Sequence, residues 1–287
     1  MNQARGTDRV PAPLLALTAM VSVQLGAAIA KTHFDDVGAV GAAALRLVIG
    51  AVVLALVVRP RVRHWTRAQW VGAVGLGLAL GGMNVFIYLA FASIPIGVAV
   101  TIEFLGPLAL SLVHTRRWRD ALWAALALAG VVLLGVGPSA VTELGGVVWA
   151  VLAAACWAGY IVMNRHVGAA IPGVDGLVVS MVVAMLVSLP FGLPSAVDGV
   201  VREPVLLLVF GAVAVLSSVL PYALEMAALR RMPTRVFGVL QSLGPAIAAL
   251  AGLAVLSEGL SVLETVALVC VTAASVGVTL SARRRRR

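Results

Sequence analysis

The sequence predicts an all-α membrane protein whose ten transmembrane helices form two inverted five-helix repeats around a central cavity. Three observations predict it. The composition is apolar and divides into helix-length stretches, the basic residues fall on alternate connections, and one motif recurs 138 residues after its first occurrence.

Hydrophobic residues make up 61% of the 287 and charged residues only 11%, with a mean hydropathy of +1.06; a soluble domain carries about 25% charged residues. A hydrocarbon layer of roughly 30 Å takes about 20 apolar residues of helix. Ten stretches satisfy this, at residues 12–30, 37–58, 68–91, 95–114, 119–136, 144–163, 174–193, 204–228, 234–255 and 261–281. Residues 52–58 are apolar at every position, which fits a lipid-surrounded helix and not the period-2 alternation of a membrane barrel. The first stretch follows Arg5 and Arg9 and contains Ala28-Ile29-Ala30, so it superficially resembles a secretory signal. It exceeds the roughly 7 to 15 apolar residues of such a signal and is read as a retained span.

The net charge is +9. Eighteen basic residues lie on one set of connections and tails: Arg5, Arg9, Arg59, Arg61, Arg63, Arg67, Arg116, Arg117, Arg119, Arg165, Arg230, Arg231, Arg235 and the run Arg283 to Arg287. Lys31 and Arg202 lie on the other set, and Arg46 lies inside a span. The positive-inside rule then puts both termini in the cytoplasm of a multi-pass protein of the bacterial inner membrane. No basic face with interleaved aromatics is present, so nucleic acid is excluded as a partner, and the terminal arginines are expected to meet anionic lipid of the bilayer. Cys156 and Cys270 sit in separate spans and the four histidines lack ligand spacing, so no disulfide, metal or cofactor is expected.

The repeat lays residues 95–107 on 233–245 without a gap, pairing Glu103-x-x-Gly106-Pro107 with Gln241-x-x-Gly244-Pro245. It divides the chain into a tail at 1–11, a first repeat at 12–136, a second at 144–281 and a basic tail at 282–287. Each repeat has an odd number of spans, so the second enters the membrane from the opposite side. Inverted repeats of this kind hold a small-molecule site near the midplane, often at interrupted helices. Pro107 and Pro245 supply the interruption, because a proline cannot bond the carbonyl four residues earlier. Those carbonyls belong to Glu103 and Gln241, roughly 12 Å along their helices at about 1.5 Å per residue. Pro221 is a further kink candidate in span eight.

Ionisable groups within spans are costly and mark functional sites. Glu103 and Arg46 are central, and Glu225 lies nearer one end. Glu103 either binds a substrate or proton or pairs with Arg46; Glu225 either lines the cavity or bridges to Arg230. Helical spacing groups Ser218, Tyr222 and Glu225 on one stripe and Asn84, Tyr88 and Phe91 on another, while Gln24 and Lys31 add polarity to span one and Trp157, Tyr160 and Asn164 to span six. Polar side chains on so many helices need a shared interior. Glu258 and Glu264, beyond span nine, are read as solvated or helix-capping. Gly77 and Gly81 are read as close helix contacts. No nucleotide loop, nucleophile elbow or paired catalytic carboxylates occur, so the chain is not read as an enzyme.

The segments Ser22 to Lys31, Val37 to Arg46, Gly81 to Asn84, Ala99 to Leu110, Ala155 to Ile161, Leu216 to Ala227 and Arg231 to Val239 resemble the EamA-type drug/metabolite transporters, and among them the bacterial exporters of threonine and homoserine. The resemblance spans nearly the whole chain. It implies ten helices in two inverted repeats, a central cavity, and export of small amino acids such as threonine and homoserine. The expected mechanism is alternating access of the two repeats around a midplane cavity, with Glu103 engaging a substrate ammonium or a coupling proton and Arg46 a carboxylate. Efflux of other drugs or metabolites is the second expectation, and a membrane-embedded enzyme or scaffold a remote third. Oligomeric state is left open. One position departs from the family: its amino-acid exporters carry a glutamate where this chain has Gly244, which leaves Glu103 as the sole central carboxylate.

Overall fold

The computed structural model describes residues 10–113, 118–135, 143–171 and 173–281. Every regular element among them is helical. In chain order these are α1 (Ala12–Lys31), the short α2 (Phe34–Val37), α3 (Ala39–Val58), α4 (Arg67–Ser93), α5 (Ile96–Glu103), α6 (Leu105–Val113), α7 (Trp118–Gly135), α8 (Leu144–Ala170), α9 (Asp175–Arg202), α10 (Leu206–Ala214), a π-helical segment (Val215–Val219), α11 (Leu220–Leu229), α12 (Thr234–Gln241), α13 (Gly244–Leu256) and α14 (Val262–Ser281).

Seven helical stretches among the described residues are long and apolar enough to cross a membrane, and two shorter apolar stretches, Ile96–Leu110 and Leu206–Val219, accompany them. The distribution of side-chain size follows from a lipid solvent. Leu56, Val57, Phe191, Leu208 and Val262 point outward, each more than two-thirds exposed. The interior is filled largely by alanines, including Ala28, Ala42, Ala90, Ala99, Ala153 and Ala248. Hydrocarbon gives helices no hydrophobic reason to associate, so close backbone approach and van der Waals packing hold them together instead. Gly77 and Gly81 illustrate this. A Cβ on Gly77 would lie 2.5 Å from Val183 Cβ, and one on Gly81 would lie 3.0 Å from Ala184 Cα, so α4 and α9 meet at the glycine face.

Local chemistry sets the helix ends. Thr66 and Gln69 form a reciprocal capping box at the start of α4, with Gln69 N donating to Thr66 Oγ1 at 3.3 Å and Thr66 N to Gln69 Oε1 at 2.8 Å. Ser261 and Glu264 do the same for α14, at 3.2 Å and 2.9 Å. Gly38 takes φ +70° where α2 turns into α3, a conformation that strains a residue with a side chain.

Two apolar stretches are split in the same way. Span four is divided between Glu103 and Leu105, and span nine between Gln241 and Gly244. The two halves cross: α5 packs along α13, where a Cβ on Gly97 would lie 2.8 Å from the Ala249 backbone. The central core, including Tyr88, Phe91, Ile94, Val98 and Phe104, gathers around this crossing.

Candidate functional site

Glu103 is the last residue of α5 and Gln241 the last of α12, so each interrupted helix ends on a polar side chain four residues before its proline. The cause is local. Without a proline N–H at 107 or 245 the ladder cannot continue through the carbonyls of Glu103 and Gln241. The chain resumes one residue later in span four, through Leu108 N to the Phe104 carbonyl at 3.3 Å, and two residues later in span nine, through Ile247 N to the Leu243 carbonyl at 3.0 Å.

A third proline acts on span eight. In α spacing the N–H of residue 221 would bond Ser217, and in the π spacing found here, where Leu220 N–H reaches back to Val215, it would bond Leu216. Pro221 can do neither, and both carbonyls are taken by side chains from other helices. Ser22 Oγ of α1 donates to the Leu216 carbonyl at 2.6 Å, and Arg46 Nη2 of α3 donates to the Ser217 carbonyl at 3.3 Å. Single-turn π segments of this kind collect at functional sites.

Arg46 is thereby fixed between three helices. Its Nη1 donates to the Tyr88 hydroxyl at 3.3 Å, and its guanidinium carbon lies 5.7 Å from the centre of the Tyr88 ring. Tyr88 is fully buried and packs against Phe34 and Phe91. The Nε of Arg46 and the hydroxyl of Ser217 are buried and have no hydrogen-bond partner among the described residues. Glu103 is 8% exposed, and among the described residues it forms no hydrogen bond or ion pair, with Arg46 or any other group.

The structure places the remaining sequence candidates as follows. Gln241 Nε2 donates to Glu225 Oε1 at 3.4 Å, which joins the end of α12 to α11. Asn84 is buried but donates to the Leu80 carbonyl of its own helix at 2.8 Å. Tyr160 packs among Leu80, Met163 and Met181, and Gln24 is half-buried on α1. Pro221 and Pro245 are buried. The side chain of Tyr222 lies outside the described residues.

A cavity of about 300 Å³ opens beside the two interruptions, between α6, α8, α12 and α14. Phe104 and Trp157 form an aromatic wall, edge to face with centroids 4.8 Å apart. Gln241, Ser242, Ser275 and Thr279 line the opposite side. Gly244 belongs to this arrangement, because a Cβ there would lie 2.6 Å and 2.7 Å from atoms of the Phe104 ring. The aromatic ring occupies the space that a side chain at 244 would need.

Several of these residues were not legible as candidates. Ser217 was within reach, since the proline rule that marks Glu103 and Gln241 also marks it, four residues before Pro221. Phe104, Ser242 and Ser275 carry no sequence signal beyond position. Glu264 is a helix cap, as its place in the sequence suggested. Glu258 does more than cap or meet solvent: its Oε1 lies 2.6 Å from Lys31 Nζ, and its Oε2 accepts from Ile96 N at 2.8 Å, while Lys31 also donates to the Ile94 carbonyl at 3.1 Å. The start of α5, the end of α1 and the connection after α13 are thus tied at one end of the bundle.

Comparison with known proteins gives a concordant result. Residues 144–280 match the EamA-like transporter family. The threonine/homoserine exporter RhtA of Salmonella typhimurium is 42% identical over 273 residues, 94% of this chain and 92% of that protein. The threonine/homoserine exporter RhtA of Escherichia coli is 40% identical over the same shares. A protein of known crystal structure superposes with a TM-score of 0.58 over 95% of this chain and 98% of its own, at 21% identity, and so shares the fold. Identity at this level along nearly the full length settles the family: the chain is a multi-pass membrane transporter, not an enzyme, and belongs to the EamA-like transporter family.

Proposed function

We propose that the chain exports small amino acids of the threonine and homoserine type across the bacterial inner membrane, by alternating access of two inverted five-helix repeats, residues 12–136 and 144–281, with both termini in the cytoplasm. The observation that carries this reading is a pair of opposite central charges, Glu103 and Arg46, that form no ion pair with each other, in a chain 40–42% identical to threonine/homoserine exporters over 94% of its length. A zwitterion leaving water needs partners of both signs. Arg46 keeps a buried Nε without a hydrogen-bond partner among the described residues, available to a carboxylate, and Glu103 takes the ammonium or a coupling proton. The matched breaks after Glu103 and Gln241, and the crossing of α5 with α13, support the inverted repeat.

Orientation from the basic residues puts the Lys31–Glu258 tie at the outer end. A second cavity of about 490 Å³, lined by Arg165 and His166, shares Ile161 with the first and lies toward the proposed cytoplasmic end. Closure outside and space inside support an inward-facing state.

The test is counterflow of radiolabelled threonine and homoserine in vesicles containing the purified protein, with Glu103→Gln alongside. Exchange of either amino acid by the wild type is expected, and its absence refutes the substrate. Unchanged pH dependence in Glu103→Gln refutes the proton role alone. The Phe104–Trp157 wall favours a second reading, efflux of larger aromatic solutes, and resistance of expressing cells to dyes without resistance to threonine would select it.

A further inference from the structure

The hydroxyl groups of the cavity bear on which amino acids are carried. Ser242 Oγ lies 2.8 Å from Ser275 Oγ and donates to the Gly238 carbonyl at 3.2 Å; Thr279 donates to the Ser275 carbonyl at 2.8 Å. The arrangement is satisfied when the Ser275 hydroxyl donates to Ser242, whose own proton goes to Gly238. Every hydroxyl proton is then used, and Ser275 Oγ is left as an acceptor. Gln241 has its amide nitrogen on Glu225, which leaves its Oε1 as a second acceptor at the cavity. Among the described residues, none that lines this cavity carries a formal charge, and its other wall is aromatic.

We infer that this cavity is the side-chain subsite of the exporter, and that Ser275, held by Ser242, together with Gln241 accepts a hydrogen bond from the hydroxyl of a hydroxylated amino acid. The inference rests on the amino-acid reading above. A neutral acceptor pair is complementary to an O–H donor, whereas an ammonium leaving water is matched better by the carboxylate of Glu103 than by two neutral acceptors. The rings of Phe104 and Trp157 cover the carbon skeleton. An analogue with a methyl in place of the hydroxyl fits by size but leaves both acceptors dry. An unmade buried hydrogen bond costs enough to lower its affinity about tenfold.

The experiment compares, on the same vesicles, inhibition of labelled threonine counterflow by unlabelled threonine and by valine, and of homoserine counterflow by homoserine and by norvaline. The wild type is expected to prefer the hydroxylated member of each pair about tenfold. Ser275→Ala and Ser242→Ala are expected to reduce the preference to about threefold or less, and Ser275→Thr, which keeps the hydroxyl, to retain it. The readout is a ratio between solutes, so the amount of folded protein cancels. Threonine counterflow with no preference in the wild type, or with the preference intact in both alanine variants, overturns the inference and leaves amino-acid export standing. Absence of threonine and homoserine counterflow in the wild type overturns the export reading and this inference with it.

Discussion

Arg46 donates to the carbonyl of Ser217 at 3.3 Å, and that carbonyl is one that Pro221, four residues on, has no N–H to reach. A defect in one helix thus becomes the anchor of a charge from another. Ser22 fills the neighbouring vacancy at Leu216, so the π-helical segment of span eight is held open by α1 and α3 together.

Pro221→Ala returns an N–H to this turn, where it competes with Ser22 and Arg46 for the two carbonyls. The expected outcome is unchanged or higher thermal stability with threonine counterflow lowered about tenfold, the effect of roughly 1.4 kcal/mol in positioning. Wild-type counterflow in this variant would show that Arg46 does not depend on the proline.

Arg46→Lys keeps the charge but loses the planar fork that reaches Tyr88 and Ser217 at once. One of these buried groups is left without its donor, at a cost of about 1–3 kcal/mol. Counterflow is expected to fall at least about tenfold, while the protein remains monodisperse in detergent. Full activity with lysine would mean that only charge matters at this position.

Lys31 and Glu258 are 18% and 17% exposed and each holds a backbone group as well, so their tie does more than the usual surface pair. Lys31→Ala should loosen this end. A cysteine introduced at Ile94 is expected to react several-fold faster with a membrane-impermeant maleimide in Lys31→Ala than in the Lys31 background, and the charge swap Lys31→Glu with Glu258→Lys should slow it again. Equal rates in all three would remove the tie from the opening step.

Gly244→Ala pushes a methyl into the Phe104 ring, and overpacking of this kind typically costs about 1–3 kcal/mol. Melting temperature is expected to fall by several degrees. Adding Phe104→Leu should restore it, because the smaller side chain vacates the space. A loss that Phe104→Leu does not relieve would point to the backbone at 244 and not to the ring.

The membrane-spanning character, the positions of the helix breaks and the polar groups beside them follow from the order of residues alone. Hydropathy is a local sum, and a proline acts on a carbonyl at a fixed distance along its own chain, so both can be read without knowing what lies across the bundle. For that reason Glu103, Gln241, Pro107 and Pro245 were identifiable as sequence, and Ser217 was identifiable by the same rule. The sequence left open whether Glu103 pairs with Arg46, what fills the space beside Gly244, and whether Glu258 meets solvent or a partner. Those outcomes depend on contacts between residues far apart in the chain. Arg46 lies 171 residues from Ser217, and Lys31 meets Glu258 from another span altogether. Only the packing of α3 against the π-helical segment, and of α1 beside the connection after α13, decides which donor meets which acceptor, since hydrogen bonds and ion pairs act over a few ångströms of space and not over sequence.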